Sequence, residues 1–188
     1  GWLLEYLSRG RPGMANLEGY PFSAQSGVDI VTAVGREMDA GLDWEYIKQL
    51  RGLWPGKLIL KGILDVEDAR IAAKAGASAL VVSNHGGRQL DGALSSIAAL
   101  PKVVEAVGDQ IEVMFDGGIR SGQDVLRALA RGARSCMIGR SYIYGLGAGG
   151  EAGVARAIEI LGKELDVTMA LCGVRNVRDI DPRVIAQA

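Results

Sequence analysis

Residues 79–88 read ALVVSNHGGR, a run of four apolar residues followed by a polar loop with two adjacent glycines. A short apolar run of this kind is typical of a strand buried on both faces of a parallel sheet. Strands are also predicted for three similar runs, at residues 58–60, 111–115 and 135–138. Each run is followed by a glycine-containing loop and a helix-like stretch. This alternation predicts an α/β protein whose parallel sheet is covered by helices.

Helix signals between the strands support this interpretation. Asp65 is in position to cap one helix, and Ser121 with Asp124 forms a capping pair for another. Pro101 is a residue favoured at the first helical position, so it predicts a helix start. The predicted helices cover residues 43–53, 66–75, a stretch from about 101, 125–130 and 151–165.

The predicted units account for only part of a closed barrel. Four β–α units fill residues 58–188, and a connecting, largely helical segment fills residues 1–57. A complete barrel of eight units takes about 250 residues, so four further units do not fit into the first segment. The sequence also starts at Gly1 without a signal-peptide pattern. We therefore interpret it as a fragment that carries half of a barrel.

Composition excludes several classes of protein. The formal net charge of -1 gives no electrostatic footprint for nucleic acid, so no nucleic-acid partner is expected. No apolar run approaches the roughly 18 residues of a membrane-spanning helix. The two cysteines, Cys136 and Cys172, are too few for a disulfide scaffold and indicate a reducing, cytoplasmic setting. Metal-ligating residues do not cluster at ligand spacing, so no metal site is predicted.

Polar side chains follow all four predicted strands. Because the carboxyl ends of parallel strands share one face, these side chains are expected to converge. They are Lys61, then Ser83, His85 and Arg88, then Asp116 and Arg120, and finally Arg140.

The loop after the second strand carries the chain's only histidine, His85. A neutral imidazole can accept a proton near pH 7, which favours a catalytic base over an ordinary hydrogen-bonding loop residue. Arg88 could hold a carboxylate through two parallel N–H contacts, or form a surface ion pair with Asp91. Lys61 could form a Schiff base, bind phosphate, hold negative charge on a cofactor, or make a structural salt bridge.

Two glycine motifs follow the third and fourth strands, at residues 116–121 and 138–140. Glycines expose backbone N–H groups, a helix N-terminus follows, and Arg120 and Arg140 add positive charge. The pair of motifs therefore predicts a cradle for a phosphate group. The alternative is an ordinary tight turn between strand and helix.

The run SNHGGRQLD at residues 83–91 resembles the active-site signature of the FMN-dependent α-hydroxy acid dehydrogenases and oxidases. This family includes glycolate oxidase and the lactate and mandelate dehydrogenases. Further segments match in the same order, so the resemblance covers nearly the whole chain. These segments are residues 60–62, 115–120, 138–140, 151–154 and 168–173.

The resemblance implies the C-terminal half of a TIM (β/α)8 barrel, units 5–8, with FMN at its C-terminal face. It also implies oxidation of an (S)-2-hydroxy acid to the 2-oxo acid, with His85 as base and as substrate contact and Arg88 as the partner of the substrate carboxylate. Lys61 would lie near the flavin ring, and Ser83 near the ring or the ribityl chain. The residues implied to hold the ribityl phosphate are Asp116, Gly117, Gly118, Ile119, Arg120, Gly139 and Arg140. The aspartate that orients the histidine in this family would belong to the other half.

Partners and alternatives stay open at this level. Oxygen, a quinone or a cytochrome could accept the electrons. The apolar and basic segment Trp2–Tyr20 could lie on a membrane surface, which would place the protein in the cytoplasm or peripherally on the inner membrane. Unpaired edges of a half-barrel predict a homo-oligomer. The alternative functions are another phosphate-binding FMN barrel enzyme and a truncated, inactive half-barrel.

Overall fold

The computed structural model describes residues 2–9, 32, 35–36 and 41–185. The chain divides into two compact units, Gly1–Asp43 and Trp44–Ala188. In the first unit, helix α1 spans Trp2–Arg9, and its Leu4 and Leu7 side chains are exposed. Of the predicted membrane-contacting segment, residues 10–20 lie outside the described residues. None of the described helices is both long enough and apolar enough to cross a bilayer.

The second unit alternates strands and helices. Its elements are α2 (Trp44–Leu53), β1 (Ile59–Ile63), α3 (Val66–Lys74), β2 (Ala79–Val82), α4 (Ser96–Val107), β3 (Glu112–Asp116), α5 (Gly122–Ala130), β4 (Cys136–Met137) and α6 (Arg140–Leu171). The four strands form one sheet in the order β1-β2-β3-β4, and every neighbouring pair is parallel. The predicted fold class is therefore confirmed.

The core lies between this sheet and helices α3, α4 and α5. Leu80 and Val82 of β2 and Phe115 of β3 are almost completely buried, and they pack with apolar residues of α4 such as Val103. Burying side chains of this size contributes about 1.5–3 kcal/mol each. The core fixes the strands, and the parallel arrangement brings all their carboxyl ends to one edge of the sheet.

Both predicted capping signals are confirmed. The Asp65 carboxylate accepts the backbone N–H groups of Glu67 at 2.8 Å and Asp68 at 3.2 Å, at the start of α3. At the start of α5, Ser121 and Asp124 form a reciprocal capping box. Each cap satisfies donors that the first helical turn leaves without partners.

One predicted helix start is wrong, and one is confirmed inside a longer helix. Helix α4 begins at Ser96 rather than near Pro101, which lies inside the helix. The proline removes one backbone hydrogen bond, but burial of Leu100 and Val103 on the same helix outweighs that loss. Helix α6 consists of two helical segments joined at the non-helical residues 149–150. The predicted helix start at Glu151 is therefore confirmed for the second segment, whereas the first segment, which begins at Arg140, was not predicted.

Candidate active site

A cavity of about 390 Å³ lies at the carboxyl ends of the strands. Four cationic side chains and one carboxylate line it, so the cavity is strongly positive although the chain carries a net charge of -1. Its size falls within the range of small-molecule sites. Of the predicted site residues, the cavity brings together Lys61, His85, Arg88, Asp116, Gly117, Gly118, Ile119, Arg120, Gly139 and Arg140. Ser83 does not line the cavity, but it contacts two residues that do.

The loop after β2 holds His85 in an unusual backbone conformation. Its φ of 55° lies in the left-handed region, the only such value among the described non-glycine residues. This conformation costs about 1–2 kcal/mol for a residue with a side chain. The His85 N–H donates to the Ser83 hydroxyl at 3.0 Å, and the next N–H, of Gly86, donates to the Asn84 side chain at 3.1 Å. The loop is thus held by hydrogen bonds on both sides of the histidine.

The imidazole ring packs directly on the backbone of β1. A Cβ atom added to Gly62 would lie 2.7 Å from Cε1 of His85, so a side chain at this position would displace the ring. Gly62 also has a φ of 104°, at an irregularity where β1 pairs with β2. The glycine therefore permits both the local distortion of the strand and the position of the ring.

Lys61 is paired at the base of the cavity. Its Nζ lies 2.9 Å from the Asp116 carboxylate and donates to the buried Ser83 hydroxyl at 3.0 Å. The salt bridge that the sequence left open as one alternative is therefore present, and it joins the ends of β1 and β3. The lysine remains partly exposed and lines the cavity, so its charge also acts on what enters there.

The arginines of the site, unlike Lys61, have no carboxylate partner among the described residues. Within the described parts of the chain, Arg88, Arg120 and Arg140 form no ion pair with a carboxylate, including the predicted alternative of Arg88 with Asp91. The Arg140 guanidinium donates to the carbonyl of Gly86 at 3.3 Å. This contact ties the loop after β4 to the loop that carries His85. Because none of the three arginines pairs with a described carboxylate, their positive charges are available to an anion.

The two helix N-termini beside the cavity are satisfied differently. At α5, the Asp124 carboxylate accepts the N–H groups of Arg120 and Ser121, each at 3.1 Å, and Glu164 accepts that of Gly122 at 2.8 Å. At α6, the cap residue Gly139 makes no side-chain cap. Its carbonyl accepts the N–H groups of Tyr142 at 3.2 Å and Ile143 at 3.3 Å, which leaves the N–H groups of Arg140 and Ser141 without an acceptor among the described residues. Of these two helix starts, that of α6 therefore offers open backbone N–H groups, at Arg140 and Ser141, and both residues line the cavity.

The cradle also has room for an anion. No described atom lies within 4 Å of where a Cβ would stand on Gly118 or Gly139. The Ser141 hydroxyl donates to the carbonyl of Ile119 at 2.9 Å and so joins the two glycine loops. Open backbone, free donors and two guanidinium groups together fit the phosphate end of a nucleotide-like cofactor.

Two ionisable groups near these loops have shifted pKa values. Burial raises the pKa of the Asp124 carboxyl, but the hydrogen bonds from Arg120, Ser121 and Arg127 outweigh it, so the pKa lies below its ordinary value. Burial raises the pKa of the Cys136 thiol to about 12, so this β4 residue is an inert, partly buried side chain. Cys172 is exposed at the end of α6.

Sequence reasoning missed several residues of the site. The cavity is also lined by Gly86, Gln89, Met137, Ser141 and Ile143. Gln89 lies inside the matched motif, and Ser141 follows Gly139–Arg140 directly, so adjacency to the motifs could have found them. Ser96 is different, because its hydroxyl accepts the Asn84 N–H at 3.2 Å across 12 residues of chain, and no local pattern indicates that contact.

Fold and site together define a class of protein: an α/β protein with parallel strands whose carboxyl-terminal edge combines an imidazole, glycine-rich turns and a guanidinium that has no ion-pair partner among the described residues. Comparison with known proteins then makes the class specific. The sequence profile of the family described as FMN-dependent dehydrogenase matches residues 5–187. The chain belongs to this family, as its sequence predicted. Its members carry out FMN-dependent oxidation of 2-hydroxy acids such as lactate and mandelate.

Individual relatives agree with this assignment. The L-lactate dehydrogenase of Caulobacter vibrioides is 50% identical over 159 residues, covering 85% of this chain and 42% of that enzyme. The L-lactate dehydrogenase of Pseudomonas syringae pv. syringae is 44% identical over 188 residues, covering 100% of this chain and 50% of that enzyme. The chain thus spans about half the length of the curated relatives it matches.

Solved structures give the same result for the fold. The monotopic membrane protein (S)-mandelate dehydrogenase superposes with a TM-score of 0.89 at 37% identity, over 100% of this chain and 49% of that one. A mandelate oxidase variant with (S)-mandelic acid superposes with a TM-score of 0.70 at 48% identity, over 72% of this chain and 41% of the other. The chain therefore corresponds to about half of a TIM-barrel FMN enzyme.

Proposed function

We propose that this chain supplies the half of a 2-hydroxy acid oxidoreductase that holds the catalytic base, the substrate carboxylate and the phosphate of FMN. In this proposal residues 58–188 are barrel units 5–8, and the substrate is an (S)-2-hydroxy acid of the lactate or mandelate type. The observation that carries the proposal is that His85 and Arg88 line the same cavity as Gly117–Arg120 and Gly139–Arg140.

His85 and Arg88 have complementary roles in this reaction. Oxidation of a 2-hydroxy acid to a 2-oxo acid removes two electrons and two protons, and the imidazole of His85 accepts one of these protons. The Arg88 guanidinium, which has no ion-pair partner among the described residues, binds the substrate carboxylate and orients the hydroxyl-bearing carbon. Positioning by a fork of two N–H donors favours Arg over Lys at this place.

The remaining polar residues hold the cofactor. FMN, when bound, supplies the two-electron acceptor. Arg120, Arg140 and the open N–H groups at the start of α6 bind its phosphate, together with the backbone at Gly117 and Gly118. Lys61, kept in place by Asp116 and Ser83, stabilises negative charge on the ring system.

A flavin titration of this chain tests the cofactor part of the proposal. We expect FMN to bind at least about tenfold more tightly than riboflavin, which lacks the phosphate, because charge-assisted hydrogen bonds contribute about 1.5–3 kcal/mol each. Quenching of flavin fluorescence measures both affinities. Equal affinity for the two flavins would contradict the phosphate cradle.

Substitutions separate the two substrate-side roles. In FMN-loaded protein completed by the other barrel half, His85→Gln should keep FMN and slow anaerobic flavin reduction by lactate or mandelate about 10²–10⁴-fold. Arg88→Lys should raise the substrate concentration needed for reduction while FMN affinity stays constant. Near-normal reduction by His85→Gln, or parallel loss of FMN and substrate in Arg88→Lys, would refute the respective role.

We also infer that α1 contacts a membrane surface. Leu4 and Leu7 are both 71% exposed, and the structurally similar (S)-mandelate dehydrogenase is a monotopic membrane protein. A double variant Leu4→Ser, Leu7→Ser should sediment less with lipid vesicles than the unchanged chain. Leu53→Ser is the matched control, since Leu53 is 83% exposed on α2. Equal sedimentation of all three proteins would exclude a role for α1.

A further inference from the structure

We propose that Asn84 is a positioning residue, which fixes His85 in its left-handed backbone conformation and so holds the imidazole against β1 at the cavity. This inference rests on the proposed function only for the importance of His85. The positioning itself is a property of the loop and can be measured without substrate or cofactor.

Asn84 is bonded through three separate groups. Its N–H donates to the buried Ser96 hydroxyl at 3.2 Å, its carbonyl accepts the N–H of Gly87 at 3.0 Å, and its side-chain oxygen accepts that of Gly86 at 3.1 Å. These contacts fix the residue before His85 and the two residues after it. The Ser83 hydroxyl, which accepts the His85 N–H at 3.0 Å, completes the set.

The backbone conformation of His85 decides where its ring lies. With φ at 55°, the side chain leaves the loop toward β1, where Cε1 comes within 2.7 Å of the position a Cβ would take on Gly62. A return to the usual negative φ would redirect the Cα–Cβ bond and move the ring away from Gly62. The hydrogen bonds of Asn84 therefore determine the position of the imidazole indirectly.

Ser96 links this arrangement to the rest of the site. It is 3% exposed in the first turn of α4, and its hydroxyl lies 2.6 Å from where a Cβ on Gly117 would stand. The anchor for the His85 loop is thus packed directly against the loop of the phosphate cradle. Through Ser96 and Asn84, the position of α4 sets the separation between the imidazole and the cradle.

The test uses the fact that His85 is the only histidine of the chain. Its imidazole Hε1 resonance is therefore unique, and the packed ring should give a nuclear Overhauser effect (NOE) to the Hα protons of Gly62. We expect Asn84→Ala to lose this NOE in the folded protein. Asn84→Asp, which keeps the side-chain oxygen acceptor, should retain it.

Asn176→Ala is the matched control, because the Asn176 side chain caps a turn in the same way, accepting the N–H of Arg178 at 3.0 Å. It should leave the NOE unchanged. An undiminished NOE in folded Asn84→Ala, or an equal loss in Asn176→Ala, would overturn the proposal.

Ser96→Ala provides a second route if Asn84→Ala does not fold. It removes the acceptor of the Asn84 N–H and should weaken the same NOE, whereas Ser96→Thr should restore it. Ser78→Ala is its control, since Ser78 also accepts a distant backbone N–H, that of Leu58 at 3.3 Å. An unchanged NOE in folded Ser96→Ala would contradict the link to α4. The NOE measurement requires no turnover. A failure of the catalytic proposal would therefore leave the positioning role of Asn84 intact.

Discussion

The turn from β3 into α5 and the turn from β4 into α6 have similar sequences but different chemistry. Both place glycine and arginine between a strand end and a helix N-terminus. At α5 the chain satisfies its own donors, through Asp124 in the first turn and Glu164 from α6. At α6 the cap residue Gly139 has no side chain, and the N–H groups of Arg140 and Ser141, two residues that line the cavity, have no acceptor among the described residues.

The glycines of the two turns differ in the same way. A Cβ on Gly122 would overlap the backbone of α6 at Glu164–Leu165, whereas no described atom lies within 4 Å of a Cβ on Gly139. One glycine permits two helices to pack closely, and the other leaves space beside open N–H groups. A glycine-rich strand-to-helix turn can therefore serve packing or ligand binding, and only the tertiary surroundings tell which.

The largest expected effect separates these two glycines. Gly122→Ala should lower the free energy of unfolding by at least about 3 kcal/mol, because backbone atoms of α6 cannot yield as a side chain could. Gly139→Ala should lower it by no more than about 1 kcal/mol. Urea denaturation followed by circular dichroism measures both. Similar stabilities of the two variants would remove the distinction between the turns.

An intermediate effect is expected for the charges at the two turns. Arg140→Gln should weaken FMN binding about 10- to 100-fold, since a charge-assisted contact to phosphate is lost, and should leave riboflavin binding nearly unchanged. Arg127→Gln is the control, because Arg127 pairs with Asp124 on the exposed side of α5. Fluorescence titration compares the variants. An equal loss for riboflavin would assign Arg140 to loop structure instead of phosphate binding.

The Asp124 carboxylate at the start of α5 should also make the free energy of unfolding depend on pH. The folded-state pKa of Asp124 lies below 3.8, so its carboxylate stabilises the fold above the unfolded-state pKa, and this contribution is lost as the pH falls through the folded-state value. Asp124→Asn should cost about 1 kcal/mol at pH 7. The difference from the unchanged protein should shrink below pH 3.8. A difference that is constant with pH would show that the charge of Asp124 is unimportant.

Much of the fold could be predicted because its signals are local. Apolar runs marked the four strands, and Asp65 and Ser121 marked two helix starts through contacts two or three residues away. The start of α4 was missed because it depends on contacts that are distant in sequence. Burial of Leu100 retains a helix across Pro101, and burial depends on neighbours that are distant in sequence.

The candidate site was likewise predictable where it depends on local signals and not where it depends on contacts distant in sequence. Strand ends of a parallel sheet must converge, so the charged residues of the cavity could be predicted from their positions alone. The contact between Glu164 and Gly122 joins residues 42 positions apart, and the packing of His85 on Gly62 depends on a bulge in β1. Neither leaves a pattern in the sequence, although both decide how the turns function.

The smallest expected effect concerns the hydrogen bond from the Gly122 N–H to Glu164 at the start of α5. Glu164→Gln weakens the bond to the Gly122 N–H and should lower the free energy of unfolding by about 0.5 kcal/mol, since a charge near a helix N-terminus contributes about 0.3–1 kcal/mol. Glu159→Gln, on the same helix and paired with Arg156, is the control. Urea denaturation with and without inorganic phosphate compares them. Phosphate should stabilise the unchanged protein and both variants equally, because the open N–H donors belong to α6. A larger phosphate effect in Glu164→Gln would mean that the start of α5 also binds the anion once the Glu164 carboxylate is removed.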